Sequence, residues 1–308
     1  MAKRKRIFIL GGGASLGAHQ VGAMKLLEEK GIVPDAIVGS SIGVLNACFY
    51  ATGGVENMER AWTRFPPVAA ILRPSLRHNP FTGLSLMSAK PFAKAVEKFI
   101  DFEKLLSCSL ELSFIVLNLS RGEGQFFSNR QTRTSGELRT LARAGYALPL
   151  LFPPVRFRGE LFVDGGLAWN VPLLQAVEMG ATEIYVLAVV APSLPFKRRF
   201  RGMPDYLIRL ADVMWRTIGN VGYVTTRIES DGTYRGVPVT VIHPTEEHSG
   251  FNLATLLSAK PAHTRRLMAA GYRDAKREMA RLERVRSSGA RKHRDDPEVE
   301  PAFRHEVA

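Results

Sequence analysis

At 308 residues the chain can hold one large domain or two small ones, and its 45% hydrophobic content fits a globular protein with a sizeable core. No apolar run approaches the roughly 20 residues of a membrane-spanning helix. Two cysteines, Cys48 and Cys108, exclude a disulfide framework and give no zinc-ligand spacing, and both read as reduced core residues. A formal net charge of +13 brings in anionic partners: nucleic acid, an anionic membrane surface or an acidic substrate.

The start "MAKRKRIFIL" is basic, but its apolar run is far shorter than a signal-peptide core of about 7–15 residues, and Ala2 gives no myristoylation site. "RIFIL" therefore reads as the first strand, and a cytoplasmic chain is expected. "GGGASLG" follows, then a helix in which Ala18, Val21, Ala23, Met24 and Leu27 fall at helical spacing and Gly31 closes the segment. "DAIVG" reads as a second strand and "SIGVLNACFYATGG" as a helix ended by two glycines. Strand, loop and helix repeated in this order predict a parallel sheet with crossover helices.

Further along, a turn is expected at Asn79-Pro80 and a helix from Pro91 to about Ile100. "LELSFIVLNLS" reads as a buried strand, and "RGEGQFFSN" as a turn leading into another. "SGELRTLARAGYALPLLFPPV" starts helical and stops at prolines. "GELFVDGGLAWNVP" is a strand running into a glycine turn, "LLQAVEMG" a helix and "EIYVLAVV" a buried strand. Beyond Pro192 comes the basic cluster "FKRRFRG", then a helix that places Leu207, Leu210, Met214 and Ile218 on one face. "VPVTVIHP" is the last strand, followed by a basic helix. From Ser287 the chain is charged and without apolar period. One domain over 1–286 and a disordered tail over 287–308 are expected.

Two glycine-bearing loops carry the chemistry. "GGGASLG" (Gly11–Gly17) does not fit the dinucleotide pattern G-x-G-x-x-G, and no Lys-Ser or Lys-Thr completes a phosphate-binding loop. What remains is a set of backbone N–H groups at a helix N-terminus, suited to an anion or to an oxyanion. "GSSIG" is a G-x-S-x-G match centred on Ser41, with Gly39 and Gly43 at its ends, where a strand meets a helix. Such an elbow lifts a serine hydroxyl clear of the backbone, and only small neighbours fit around it. Ser40 then packs or caps. A nucleophilic serine needs a base. His243 after the last strand, with Asp164 between, would give a Ser–Asp–His order; His19 is a further histidine near the loops. Asp164 alone, at a strand end before Gly165 and Gly166, is the other candidate. No metal cluster is suggested.

The glycine loop, then G-x-S-x-G, and far downstream Asp-Gly-Gly occur in one order. In "FILGGGASLGAHQVGAMKLLEEKGIVPDAIVGSSIGVLNA" and "ALPLLFPPVRFRGELFVDGGLAWNVPLLQAVEMGATEIYVLAV" the chain resembles the patatin-like phospholipase family, and more weakly in "GYRDA" at Gly271–Ala275. The resemblance implies an α/β sandwich with a central, mostly parallel sheet and helices on both faces. It implies a Ser–Asp dyad, Ser41 with Asp164, without histidine. Gly11, Gly12, Gly13, Ala14 and Gly17 map to the oxyanion loop, and Gly39, Gly43, Gly165 and Gly166 support the motifs. Ala14 stands where the family often has glycine; its donor survives at negative φ and the hole is weakened at positive φ. Leu16 replaces a frequent Lys or Arg, and Ala147-Leu148 stand near a frequent Ser-Ala-Ile-Pro.

The implied reaction is hydrolysis of a lipid acyl ester, such as a phospholipid or lysophospholipid, with no cofactor. A general esterase, thioesterase or acyltransferase would use the same dyad. A basic nucleic-acid scaffold lacks a recognition motif. Peripheral contact with an anionic membrane is expected of Phe196–Ile218, where Lys197, Arg198, Arg199 and Arg201 precede an amphipathic helix bearing Trp215; the alternative is that the apolar face packs on the core.

Overall fold

The computed structural model describes residues 4–66, 71, 73, 85–189, 197–207, 209–210, 213–214, 228–229, 231–244 and 261–284, with backbone alone for 285–295. At the centre of the sheet lies β1 (Arg6–Leu10), parallel to β2 (Ala36–Gly39) on one side and β7 (Glu183–Leu187) on the other. β2 continues in parallel to β3 (Glu111–Asn118), and β7 to β9 (Val237–Ile242). β4 (Glu123–Ser128) and β6 (Glu160–Asp164) run antiparallel to β3, β5 (Val155–Phe157) to β6, and β8 (Thr233–Tyr234) to β9.

The apolar run Ile7–Leu10 is fully buried because both sheet faces are covered. Phe8, Leu10 and Ile37 pack into one core with Val21 and Leu27 of α1 (Ala18–Glu29), Val44 and Phe49 of α2 (Ile42–Arg64), and Leu138 and Leu141 of α5 (Ser135–Gly145). Ile7, Ile9 and Val38 point the other way, onto Leu173 and Ala176 of α6 (Leu173–Glu178). Helices therefore cover both faces of a mostly parallel sheet, as expected.

Between β2 and β3, α3 (Lys90–Val96) is shorter than the helix expected to about Ile100, and α4 (Phe102–Ser107) follows a cap in which Asp101 accepts from the N–H groups of Glu103 and Lys104. Gly53 and Gly54 do not end α2 but kink it, with Gly54 at φ 65°. Asn57 holds the joint by donating to the Phe49 carbonyl at 2.8 Å, a group the kink would leave unpaired. The turn at Asn79-Pro80 lies outside the described residues.

The last helix, α7 (Pro261–Asp295), continues past the boundary expected at 286. Loss of apolar period does not by itself stop a helix, and no proline occurs before Pro297. The remainder of the expected tail lies outside the described residues. α7 crosses α1 so closely that a Cβ on Gly22 would sit 1.8 Å from the Met268 carbonyl oxygen, and one on Gly271 1.8 Å from that of His19. In the basic segment, Leu207, Leu210 and Met214 are 53%, 41% and 55% exposed, so this face is not packed on the core; Phe196, Trp215 and Ile218 lie outside the described residues.

Candidate active site

The sheet itself brings Ser41 and Asp164 together. β4 occupies one edge of β3 over Ser113–Asn118, so β2 and β6 must share the other. β2 leaves that edge with Gly39 opposite Phe114, and β6 ends on it with Asp164 opposite Val116. A single β3 residue, Ile115, thus lies between the two strand ends.

At the elbow Ser41 has φ 53° and ψ −120°, immediately before the first turn of α2. A non-glycine residue in such a region costs about 1–3 kcal/mol and persists only where its surroundings enforce it. Here Val44 N–H donates to the Ser41 carbonyl and Gly43 N–H to that of Ser40. The flanking glycines have no room for side chains: a Cβ on Gly43 would lie 2.0 Å from the Leu10 carbonyl oxygen, and one on Gly39 2.9 Å from that of Gly43. Ser40 is buried and donates a long bond, 3.4 Å, to the Trp169 carbonyl.

Ser41 Oγ donates to Asp164 Oδ2 at 2.6 Å, and Gly166 N–H donates to Asp164 Oδ1 at 2.8 Å. A Cβ on Gly165 would strike the β3 backbone at Ile115, 2.5 Å away, so the turn after Asp164 requires a glycine there. Burial pushes the Asp164 carboxyl up to about 6, against the opposing pull of the Ser41 and Gly166 hydrogen bonds. The histidines sit elsewhere. His19 Nε2 pairs with Asp274 Oδ2 of α7 at 2.9 Å, both buried, which ties α1 to the last helix. His243 follows the end of β9, three strands from β2 or roughly 14 Å across the sheet, and its Nδ1 lies 3.0 Å from the Pro244 carbonyl oxygen. Among the described residues no histidine bonds to Ser41.

The glycine loop lies against this pair. A Cβ on Gly12 would be 2.7 Å from that of Ser41, and one on Gly17 2.6 Å from the Ile42 side chain. Gly11 N–H donates to the Leu187 carbonyl and Gly12 N–H to Asn170 Oδ1. The N–H groups of Gly13 and Ala14 have no partner among the described residues. The N–H groups of Gly11 and Gly12 are thus already paired within the fold. Ala14 has φ 49°, the positive value that favours glycine, at a cost of about 1–2 kcal/mol.

Sequence reading missed four residues that hold the loop. Gln20 donates to the carbonyls of Gly11 and Leu187 at 2.8 and 2.9 Å. Asn46 donates to the Gly17 carbonyl and to Gln20 Oε1, and Trp62 Nε1 donates to Asn46 Oδ1. Asn170 is the fourth. The signal was a glutamine and an asparagine inside otherwise apolar helices, since a buried amide must find partners. Asn170→Ala would leave the Gly12 N–H buried and unpaired. A loss of about 1–3 kcal/mol in denaturant unfolding is expected, with a fall in kcat larger than any change in KM.

From Ser41 a pocket opens with a cavity volume of about 120 Å³. Apart from Ser41, Asp164 and Ser15 it is lined by apolar and aromatic side chains, among them Leu45, Phe49, Trp62, Phe65, Phe92 and Phe152. One segment supplies an outer wall, and a second is hydrogen-bonded to it. Leu148, Leu151 and Phe152 face the pocket, while Leu150 between them is 76% exposed at φ 68°. Leu86 and Met87 donate backbone hydrogen bonds to the carbonyls of Leu150 and Leu151 at 2.7 and 3.0 Å.

The chain is similar to several known proteins. Two curated relatives are named lysophospholipase nte1: that of Aspergillus terreus is 29% identical over 183 residues, and that of Aspergillus niger 30% identical over 183. Each match covers 59% of this chain and 12% of the relative, so the chain spans about an eighth of their length. Among solved structures, VipD from Legionella pneumophila shares the fold at a TM-score of 0.54 and 14% identity, over 90% of this chain and 67% of that one. The family profile described as patatin-like phospholipase matches residues 8–177, which takes in the glycine loop, the serine elbow and Asp-Gly-Gly. By that match, over more than half its length, the chain belongs to the patatin-like phospholipase family.

Proposed function

We propose that the protein is a serine hydrolase of lipid acyl esters, with phospholipids or lysophospholipids as substrates. The observation that carries this reading is the 2.6 Å bond from Ser41 Oγ to Asp164 Oδ2 at one end of an apolar pocket. Asp164 takes the Ser41 proton as Oγ bonds to the ester carbonyl carbon. The N–H groups of Gly13 and Ala14 stabilise the oxyanion, and the scissile C–O bond breaks as the leaving alcohol takes the proton from Asp164. Water then gives a proton to Asp164 and attacks the acyl carbon. Ser41 leaves and recovers its proton. Every step uses side chains and backbone of this chain.

The apolar and aromatic lining of the pocket favours a long acyl chain over the short acids of a general esterase. A thioesterase or acyltransferase would differ only in leaving group or acceptor. Peripheral contact with an anionic membrane belongs to the same proposal, since Phe200, Met203 and Leu207 are exposed beside Lys197, Arg198, Arg199 and Arg201. A fluorophosphonate probe should label Ser41. On a panel of p-nitrophenyl esters, kcat/KM should rise by at least tenfold from C4 to C12. Flat chain-length dependence would favour the general esterase, and product transferred to added glycerol in place of free acid would favour the transferase.

A further inference from the structure

The outer wall of the pocket and the segment bonded to it carry two leucines that the chemistry does not use. Leu86 is 59% exposed and Leu150 76%, and the backbone hydrogen bond between their segments holds them in one tip. Leu150 is also at a positive φ that glycine would adopt freely, so a large apolar side chain is kept here against both strain and water. Beneath the tip, Met87, Ala89, Leu148 and Leu151 pack on Ala147 and Phe152 as a small apolar cluster of its own. The tip is therefore a built feature. Its inner side is pocket wall, and its outer side presents apolar groups at the rim.

The described charges next to the tip segments are cations. Residues 85–96 carry Lys90 and Lys94 and no aspartate or glutamate, and residues 146–159 carry Arg156 and Arg158 and again no acid. Arg73 accepts from Ser88 N–H through its carbonyl, which fixes it beside the tip, and both Arg73 and Lys90 are exposed. Apolar side chains framed by cations are complementary to one kind of surface, acyl chains under anionic head groups.

We propose that Leu86 and Leu150 insert into an anionic phospholipid surface and set the pocket mouth against it, so that an acyl chain passes from lipid to pocket without crossing water. The proposal rests on the lipid-ester reading of the pocket, but its test does not need turnover. The full chain carrying Ser41→Ala would be sedimented with vesicles of phosphatidylcholine alone and with vesicles of phosphatidylcholine mixed with phosphatidylglycerol. The same protein carrying Leu86→Gln and Leu150→Gly would be run alongside. Glycine suits the φ of 68° at position 150, so the second substitution does not disturb the backbone. The expected result is binding to the anionic vesicles, weakened by salt and at least tenfold weaker in the double variant. In a Ser41 background the double variant should hydrolyse a soluble butyrate ester within twofold of the parent, because neither leucine lines the pocket. Unchanged vesicle binding by the double variant would overturn the proposal and leave membrane contact to the basic segment Lys197–Leu207. Equal binding to both vesicle types would overturn it too, as would a parallel fall in butyrate hydrolysis. If the parent binds vesicles through the tip yet hydrolyses no ester, the docking surface stands and the hydrolase reading fails.

Discussion

Ser41→Ala is expected to abolish covalent labelling by a fluorophosphonate and to lower kcat on the order of 10⁴–10⁶-fold. The strained elbow accepts alanine as it accepts serine, so the backbone remains in place. What is lost is the nucleophile and one of the two hydrogen bonds that hold the Asp164 carboxylate. At neutral pH a stability loss of about 1–2 kcal/mol should accompany it, since a buried charge loses a donor. Ser40→Ala is the matched control. Its hydroxyl makes only a long bond to the Trp169 carbonyl, and turnover should stay within a few-fold. Mass spectrometry of the labelled peptide and ester kinetics on both variants check the register: equal losses would place the nucleophile wrongly.

Asp164→Asn tests the base, and it separates activity from stability. An amide cannot take the Ser41 proton, so kcat should fall by roughly 10²–10⁴. Wild-type kcat should rise with pH and level off above about 6, as the carboxyl ionises. The linkage runs in the opposite direction. Moving this carboxyl from 3.8 to about 6 means the folded state binds the proton more tightly than the unfolded chain. Its contribution is fully present below pH 4 and is lost as pH rises through about 6, a cost of about 3 kcal/mol at neutral pH. The amide of the variant carries no charge to desolvate. The Asp164→Asn protein should therefore be more stable than wild type at pH 8, by up to about 3 kcal/mol, and equal to it at pH 4. Denaturant unfolding at the two pH values measures this. Equal stability at pH 8 would show that Asp164 is not a strained buried charge. A His243→Ala variant as inactive as Asp164→Asn would replace the dyad by a triad.

The parallel core of the fold was legible because its strands are buried on both faces and read as apolar runs, with glycines marking where each turns into a helix. The serine elbow was legible for the same reason, since its flanking glycines answer steric demands that appear in sequence as G-x-S-x-G. Other features were not. Gly53-Gly54 looks like a helix stop, and only the long-range placement of Asn57 turns it into a kink. The division of labour in the glycine loop depends on Asn170, far downstream in the chain, which consumes the Gly12 donor. No local pattern encodes such a pairing. The distance between Ser41 and Asp164 is likewise a property of β3, which carries no chemistry of its own.

That shared edge of β3 has a consequence for how the Ser41–Asp164 pair is assembled. The two residues are 123 apart in the chain, and the strands that lead to them, β2 and β6, are aligned by pairing with the same third strand. Pleating repeats every two residues, so a one-residue slip of β6 along β3 would turn Asp164 to the opposite face. The loops on either side can vary in length without altering the spacing, because β3 acts as the ruler. A fragment that lacks β3 lacks the strand that sets the two residues side by side.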